Sequence, residues 1–358
     1  MTIFFVFLMI PLLLYITITP PPQTINKKSL LLFALFLLWL LSSLRSEYIG
    51  ADYRGYVHYF RQIAVFKDAY FREKGYVYLN YLVSLISSHY VVLAGAINAM
   101  LFIPLYYYIR KNVDEKYYAL ALFLFIANPY TYVQTTFNML RQCCASGIIL
   151  LAVNALRKNR EKLFVVLVLC AYQFHRVSIG VLVLLLVRAV KWTKHKWCIL
   201  AFVSFLLSIL PISAIVNYAA GLFGYARYAT YEASLLNNPA YILLASFYVF
   251  VLCKYYNHLF CSENEKFFVD IFMFSSCFLL FAIRNDSFYR ARIVFSLASI
   301  PAVPIIFKNR KKYKCLGIWG KIYQQLYLFY NAGFYCSYIL YLFFMNKTAY
   351  VPFKFFFQ

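Results

Sequence analysis

The sequence predicts an all-α fold: a polytopic integral membrane protein of about twelve transmembrane helices, within about 10–13. Three observations carry this. Of its 358 residues, 64% are hydrophobic and only 13% are charged. Apolar runs of about 15–20 residues recur from end to end, close to what the hydrocarbon core of a bilayer demands of a helix. The basic residues that give a net charge of +23 fall in short clusters between those runs, not on one soluble face, so they read as topology signals and anion sites and not as a nucleic-acid surface.

In chain order the runs place spans near 3–19, 29–44, 90–109, 117–136, 139–156, 162–174, 177–190, 197–214, 239–256, 267–283, 292–307 and 325–345. The first run has no basic residues before it and no small-residue cleavage site after it, so it is expected to be a retained span and not a removable signal. The clusters Lys27-Lys28, Arg110-Lys111-Lys116, Arg157-Lys158-Arg160-Lys162, Arg188-Lys191-Lys194-Lys196 and Lys308-Arg310-Lys311-Lys312-Lys314 all fall on one side, which the positive-inside rule makes cytoplasmic. The other side receives both termini, a long outer segment at 45–75, the corner at 175, a second outer loop at 215–238 and a short loop at 284–291. Residues 163–187 are read as two short arms interrupted near His175, since a single crossing would put the basic 188–196 cluster outside. Between residue 75 and Tyr90 there is too much chain for a turn, so a half-helix at the outer leaflet, reaching to about residue 89, is expected before the next span. Internal repeats and low-complexity linkers are not evident, and residues 1–358 are read as one membrane domain.

Nine cysteines, at 143, 144, 170, 198, 253, 261, 277, 315 and 336, lie mostly inside apolar runs without a C-x-x-C pair. They read as small packing residues. Phosphate-binding glycine loops, an H-E-x-x-H helix and D-x-D pairs are missing, so neither a nucleotide nor a metal is expected in the reaction, and no cofactor. His58, His89, His195 and His258 sit in loops or near span ends and read as surface residues.

Arg141 is the outstanding polar residue, because it stands in an apolar run where a guanidinium costs several kcal/mol (about 2.5–3.5 on insertion scales) unless a partner or cavity takes it. Helical rise measures its height. Arg141 lies 16 residues from Arg157, Arg292 lies 16 from Lys308, and Arg284 lies 18 from Lys266. Each is lifted about 24–27 Å above its cytoplasmic anchor, at or just below the outer boundary. Arg290 belongs with them on the 284–291 loop, and His175 lies recessed in the same leaflet. A lipid-attached anion suits this layer, a pyrophosphate above all, since arginine forks bind its oxygens bidentately and stabilise charge developing on a leaving group. In the segment 45–75, Asp52, Glu73, Tyr53 and Tyr56 interleave carboxylates with aromatic rings. This combination suits sugar hydroxyls and sugar faces, and equally an amphipathic helix lying at the membrane surface.

These residues resemble a known family. Gly50, Asp52, Tyr53 and Tyr56, then Glu73, Gly75 and Tyr76, then Asn138, Arg141, Gln142 and Ala145, then Phe174, His175 and Ser178, then Tyr289, Arg290 and Arg292 follow the order and spacing of the EpsG family of Wzy-type polysaccharide polymerases. The closing Tyr350-Val351-Pro352-Phe353 resembles the tail of such proteins. The resemblance implies a GT-C-like, Wzy-type architecture in the bacterial cytoplasmic membrane, with its active site facing the periplasm or exterior. It implies a glycosyltransferase that moves a growing chain from undecaprenyl pyrophosphate onto the next lipid-linked repeat, making O-antigen, capsule or exopolysaccharide. The implied partners are undecaprenyl-pyrophosphate-linked oligosaccharides, the bilayer and a chain-length regulator protein. Arg141, Gln142 and His175 carry over most securely, and Asp52 and Glu73 less so; Cys143-Cys144 and Arg176 depart from the family pattern.

The residues then suggest Arg141, aided by Arg284, Arg290 and Arg292, on the donor pyrophosphate. His175, kept neutral by the surrounding arginines, takes the acceptor proton. Asp52 or Glu73 is the alternative base or a sugar ligand, Gln142 orients, and Tyr53 and Tyr56 line the sugar. A flippase of lipid-linked oligosaccharide, a membrane glycosyltransferase using polyprenyl-phosphate sugars with an acidic residue on its first outer loop, and a purely structural subunit remain as alternatives.

Overall fold

The computed structural model describes residues 26–66, 73–128, 131–209, 239–282, 286–309 and 354–357. The spans expected at 3–19 and 325–345, the loop at 215–238 and the tail at 350–353 lie outside the described residues. Those described are helical, apart from turns and an isolated β-bridge between Arg45 and Phe355. Three described helical stretches are long and apolar enough to cross a membrane: Tyr90–Asn112, Leu140–Arg157 and Ala291–Lys308, the last interrupted by a turn at 299–301. The chain divides into two compact units, Met1–Val181 with Leu328–Gln358, and Leu182–Tyr327.

The first unit runs α1 (Lys27–Ser43), α2 (Tyr53–Phe66), α3 (Lys74–Ile86), α4 (Tyr90–Asn112), α5 (Tyr118–Ala127), a π-helical turn (Gln134–Asn138), α6 (Leu140–Arg157) and α7 (Glu161–Tyr172). Local chemistry explains several ends. Asn26 caps α1 by accepting from the Lys28 amide at 3.0 Å, and His89 Nδ1 caps α4 by accepting from the Val91 amide at 3.3 Å. Arg110 and Lys111 occupy the last turn of α4, where the helix dipole favours cations. Asn159, at a φ of 62°, turns the chain from α6 into α7.

With apolar lipid outside, shape and internal polar bonds must hold such helices together. Gly147 of α6 lies so close to the backbone of Met100 in α4 that any Cβ there would collide with the Met100 carbonyl. The same pair of helices is joined lower down by Asn112 Nδ2 donating to Asn154 Oδ1 at 2.9 Å. Trp39 of α1 donates its indole N–H to the Gly95 carbonyl of α4 at 2.9 Å, and Asn98 donates to Ser43 at 3.3 Å.

The segment read as an outer loop contains a helix, α2. In α2, Tyr53, Tyr56, Val57, Phe60 and Ile63 recur at helical spacing and are buried, while Arg54, His58, Arg61 and Gln62 are exposed. The expected half-helix is α3, whose 13 residues span about 20 Å. Tyr76 of α3 is fully buried and meets the Tyr56 ring of α2 edge-on at 5.8 Å.

The interruption expected near His175 is present: α7 stops at Tyr172 after 12 residues, and a 3₁₀ stretch begins at Arg176. The second unit comprises α8 (Val183–Ala189), α9 (Lys194–Ile209), α10 (Pro239–Tyr255), α11 (Glu263–Ala282), α12 (Asp286–Ala298) and α13 (Ala302–Lys308). Its interior holds Trp197, stacked on Trp192 at 3.9 Å, and Tyr256, whose hydroxyl donates to Asp270 at 2.5 Å.

Candidate functional site

The site grows from the break before α6. The π-helical turn ends at Asn138, and α6 restarts at Leu140, which puts Arg141 in the first turn of a new helix. The first-turn amides carry positive partial charge, so a cation there works against the helix dipole and calls for an anion. Glu73 supplies it. Its Oε2 accepts from Arg141 Nη1 at 3.0 Å, with Glu73 only 5% and Arg141 23% exposed. An acidic residue at the N-cap of a helix would ordinarily bond its own first turn, but Glu73 makes no such bond to α3 and turns to Arg141 instead. The Tyr56 hydroxyl of α2 accepts from Arg141 Nε at 3.4 Å, so three elements meet at one guanidinium.

A fourth segment is held beside them by Gly75. Its amide donates to the Gln173 carbonyl at 2.9 Å, and a Cβ on Gly75 would stand 3.0 Å from the Gln173 Cβ. Glycine is needed at this approach, which docks the start of α3 against the turn carrying Phe174 and His175. His175 is partly buried, and its Nδ1 is sealed from solvent without a hydrogen-bond partner among the described residues. The residue lies in the turn, outside the spanning helices. Burial first, and the Arg141 charge second, push its imidazole well below the ordinary histidine range and favour the neutral ring. Ser178, also buried, donates its amide to the His175 carbonyl at 3.0 Å.

The support behind Arg141 includes a residue to which the sequence assigns no role. Arg45, at the end of α1, is 0% exposed. Its guanidinium lies 3.7 Å from the Tyr53 ring centroid and 4.9 Å from that of Phe137. Its Nε and Nη2 donate to the Ile49 and Phe137 carbonyls, each at 3.3 Å, and Nη1 donates to the Ser42 carbonyl. Gly50 adopts a φ of +117°, and a Cβ on it would come within 2.5 Å of the Phe137 carbonyl oxygen. Arg45 and Gly50 together fasten the Gly50–Tyr53 turn to the π-helical turn that precedes Arg141. The one legible signal was a charged residue directly after an apolar run.

Of the expected site residues, Tyr56, Glu73 and Arg141 are in contact, and His175 is close enough for the Arg141 charge to act on it. Gln142 is 3% exposed beside Arg141 in α6. Tyr53 is 1% exposed, its ring set against Arg45, a placement that packs the turn and leaves little face for a sugar. Asp52 is exposed, with no ion pair among the described residues. Arg292 belongs to the other unit, where its Nε donates to the Ser275 carbonyl at 3.0 Å. The side chains of Arg284 and Arg290 lie outside the described residues. Among the described residues no group of three or more His, Cys, Asp or Glu is placed to hold a metal ion.

Comparison with known proteins now gives this geometry a family. The model of the EpsG family matches residues 28–355, nearly the whole sequence, and the chain belongs to that family, a group of Wzy-like polysaccharide polymerases. No curated protein and no solved structure matches it significantly.

Proposed function

We propose that this member of the EpsG family polymerises undecaprenyl-pyrophosphate-linked oligosaccharide repeats into a surface polysaccharide, at the outer face of the bacterial cytoplasmic membrane. The growing chain is the donor. The non-reducing end of an incoming lipid-linked repeat is the acceptor, and undecaprenyl pyrophosphate leaves. One observation carries the assignment of the site: four segments scattered over more than a hundred residues bring Tyr56, Glu73, Arg141 and the His175 turn to the first turn of α6.

In this reading Arg141 holds the donor pyrophosphate. The C1–O bond breaks with its electron pair passing to a pyrophosphate oxygen. A fixed guanidinium at a helix N-terminus stabilises that charge where it forms, and needs little reorganisation to do so. The Tyr56 hydroxyl holds the guanidinium from its Nε side. The acceptor hydroxyl must give up a proton as it attacks C1, and two groups stand beside Arg141 to take it, Glu73 and the neutral His175. Gln142 is proposed as an orienting group and Asp52 as a sugar ligand. A chain-length regulator is proposed as a protein partner.

The test is genetic. With the gene deleted, repeats are made and exported but surface polysaccharide shortens to single units; wild-type protein restores the ladder and Arg141→Ala does not. Loss of surface repeats, with lipid-linked units stranded inside, would favour a flippase and overturn the polymerase reading.

A further inference from the structure

We infer that the Glu73 carboxylate is a built-in counter-ion of Arg141, displaced by the donor pyrophosphate, and that once displaced it is the base that takes the acceptor proton. This rests on the polymerase reading above and assigns the base within the same site.

Three features point to exchange. The pair is long-range and joined by one bond, Arg141 Nη1 to Glu73 Oε2. No other described side chain bonds the Glu73 carboxylate. The Arg141 side chain is also 23% exposed while that of Glu73 is 5% exposed, so of the two partners Arg141 is the more accessible to an incoming anion. Finally, the guanidinium and the first-turn amides of α6 form one positive centre, and a pyrophosphate diester brings more negative charge to it than a single carboxylate. A buried carboxylate that has lost its cation is costly, and taking up a proton relieves that cost.

The step balances. Pyrophosphate oxygens replace Glu73 on Arg141. The acceptor oxygen forms its bond to C1 as its proton passes to Glu73. The C1–O bond to the carrier breaks, and its electron pair goes to the pyrophosphate. Afterwards Glu73 loses the proton to water, regains its charge and competes again for Arg141, which helps to expel the spent carrier. Donor binding therefore precedes useful deprotonation of the acceptor, and the free enzyme does not carry an unopposed base.

Glu73 as competitor and Glu73 as scaffold predict opposite signs. A site occupied by its own carboxylate binds the donor with an affinity reduced by the fraction of time it is open. The full-length protein in nanodiscs is titrated with a short-chain polyprenyl pyrophosphate, and polymerisation is followed with a lipid-linked repeat. Glu73→Gln should bind the polyprenyl pyrophosphate about fivefold tighter or more, and lose turnover by about 100-fold or more. Glu73→Asp, too short to hold Arg141 in the same way but still a carboxylate, should also bind tighter and keep clearly more turnover than Glu73→Gln. It serves as the reference if Glu73→Gln is poorly folded. Weaker binding in these variants would make Glu73 a scaffold and overturn the inference; tighter binding with turnover intact would overturn its role as base. Unchanged binding in Arg141→Ala would instead overturn the pyrophosphate site itself, a separate failure.

Discussion

Each unit of the molecule holds a sheltered ion pair, and the two are built differently. Lys266 and Asp270 lie one turn apart on α11, with Nζ and Oδ2 at 2.6 Å. The second oxygen of Asp270 accepts from Tyr256 at 2.5 Å, so both oxygens are engaged by neighbours that helix geometry and local packing supply. Arg141 and Glu73 are 68 residues apart, come from different elements and share one bond, at a helix end where positive charge is already concentrated. A saturated, local pair holds helices in place. A single-bonded pair at the positive end of a helix can exchange its anion, and Tyr56 and the turn carrying His175 gather around that one.

The largest expected effect separates the two directly. Arg141→Ala should reduce polymerisation by at least about 100-fold while membrane protein levels stay near wild type, as read from polymer ladders normalised to immunoblots. Asp270→Asn should do the reverse. Disrupting the buried pair should cost about 3–5 kcal/mol of stability, seen as a lowered melting temperature and abundance, with polymer made per folded molecule unchanged. Replacing both partners, Lys266→Met with Asp270→Leu, should recover much of that stability, since a buried pair is often no better than apolar packing. Arg141→Met with Glu73→Leu, measured on the same two axes, should fold yet make no polymer. A smaller effect is expected for Tyr56→Phe, which removes one hydrogen bond to a charged group: about tenfold in turnover, with little change in melting temperature.

The smallest effect concerns pH. Folding holds the His175 imidazole below its ordinary range, so as pH falls through about 6.5 the unfolded chain takes a proton that the folded chain refuses. Its contribution to stability is therefore complete above that pH and is lost on acidification towards the folded value. His175→Gln should lessen the fall in melting temperature between pH 7 and pH 5; an unchanged slope would show that the ring is already protonated, or free to be, in the folded protein.

How much of this was legible in the sequence depended on the range of the interaction. Apolar runs with basic ends located α1, α4, α6 and the break at His175, because span length and helical rise are properties of contiguous residues. The apolar run at 139–156 placed Arg141 near one end of its helix, and α6 does begin one residue before it. Glu73 as its partner was not legible, since nothing within a few residues of either reports a pairing 68 positions away. Arg45 was missed because the end of a run marks equally a snorkelling arginine and a buried one; only the rings of Tyr53 and Phe137 decide between them. Within the segment 45–75, the spacing of 53, 56, 57, 60 and 63 is that of an amphipathic helix, and α2 forms there with those residues buried.

One measurement bears most directly on the claim that the Arg141–Glu73 centre is where polymer is transferred. In cells lacking the chromosomal gene, surface polysaccharide is resolved on a gel with wild-type, Arg141→Ala and Glu73→Gln proteins at matched membrane levels. The account predicts a long ladder for wild type and a single rung of one repeat for both variants. A long ladder with Arg141→Ala would contradict it.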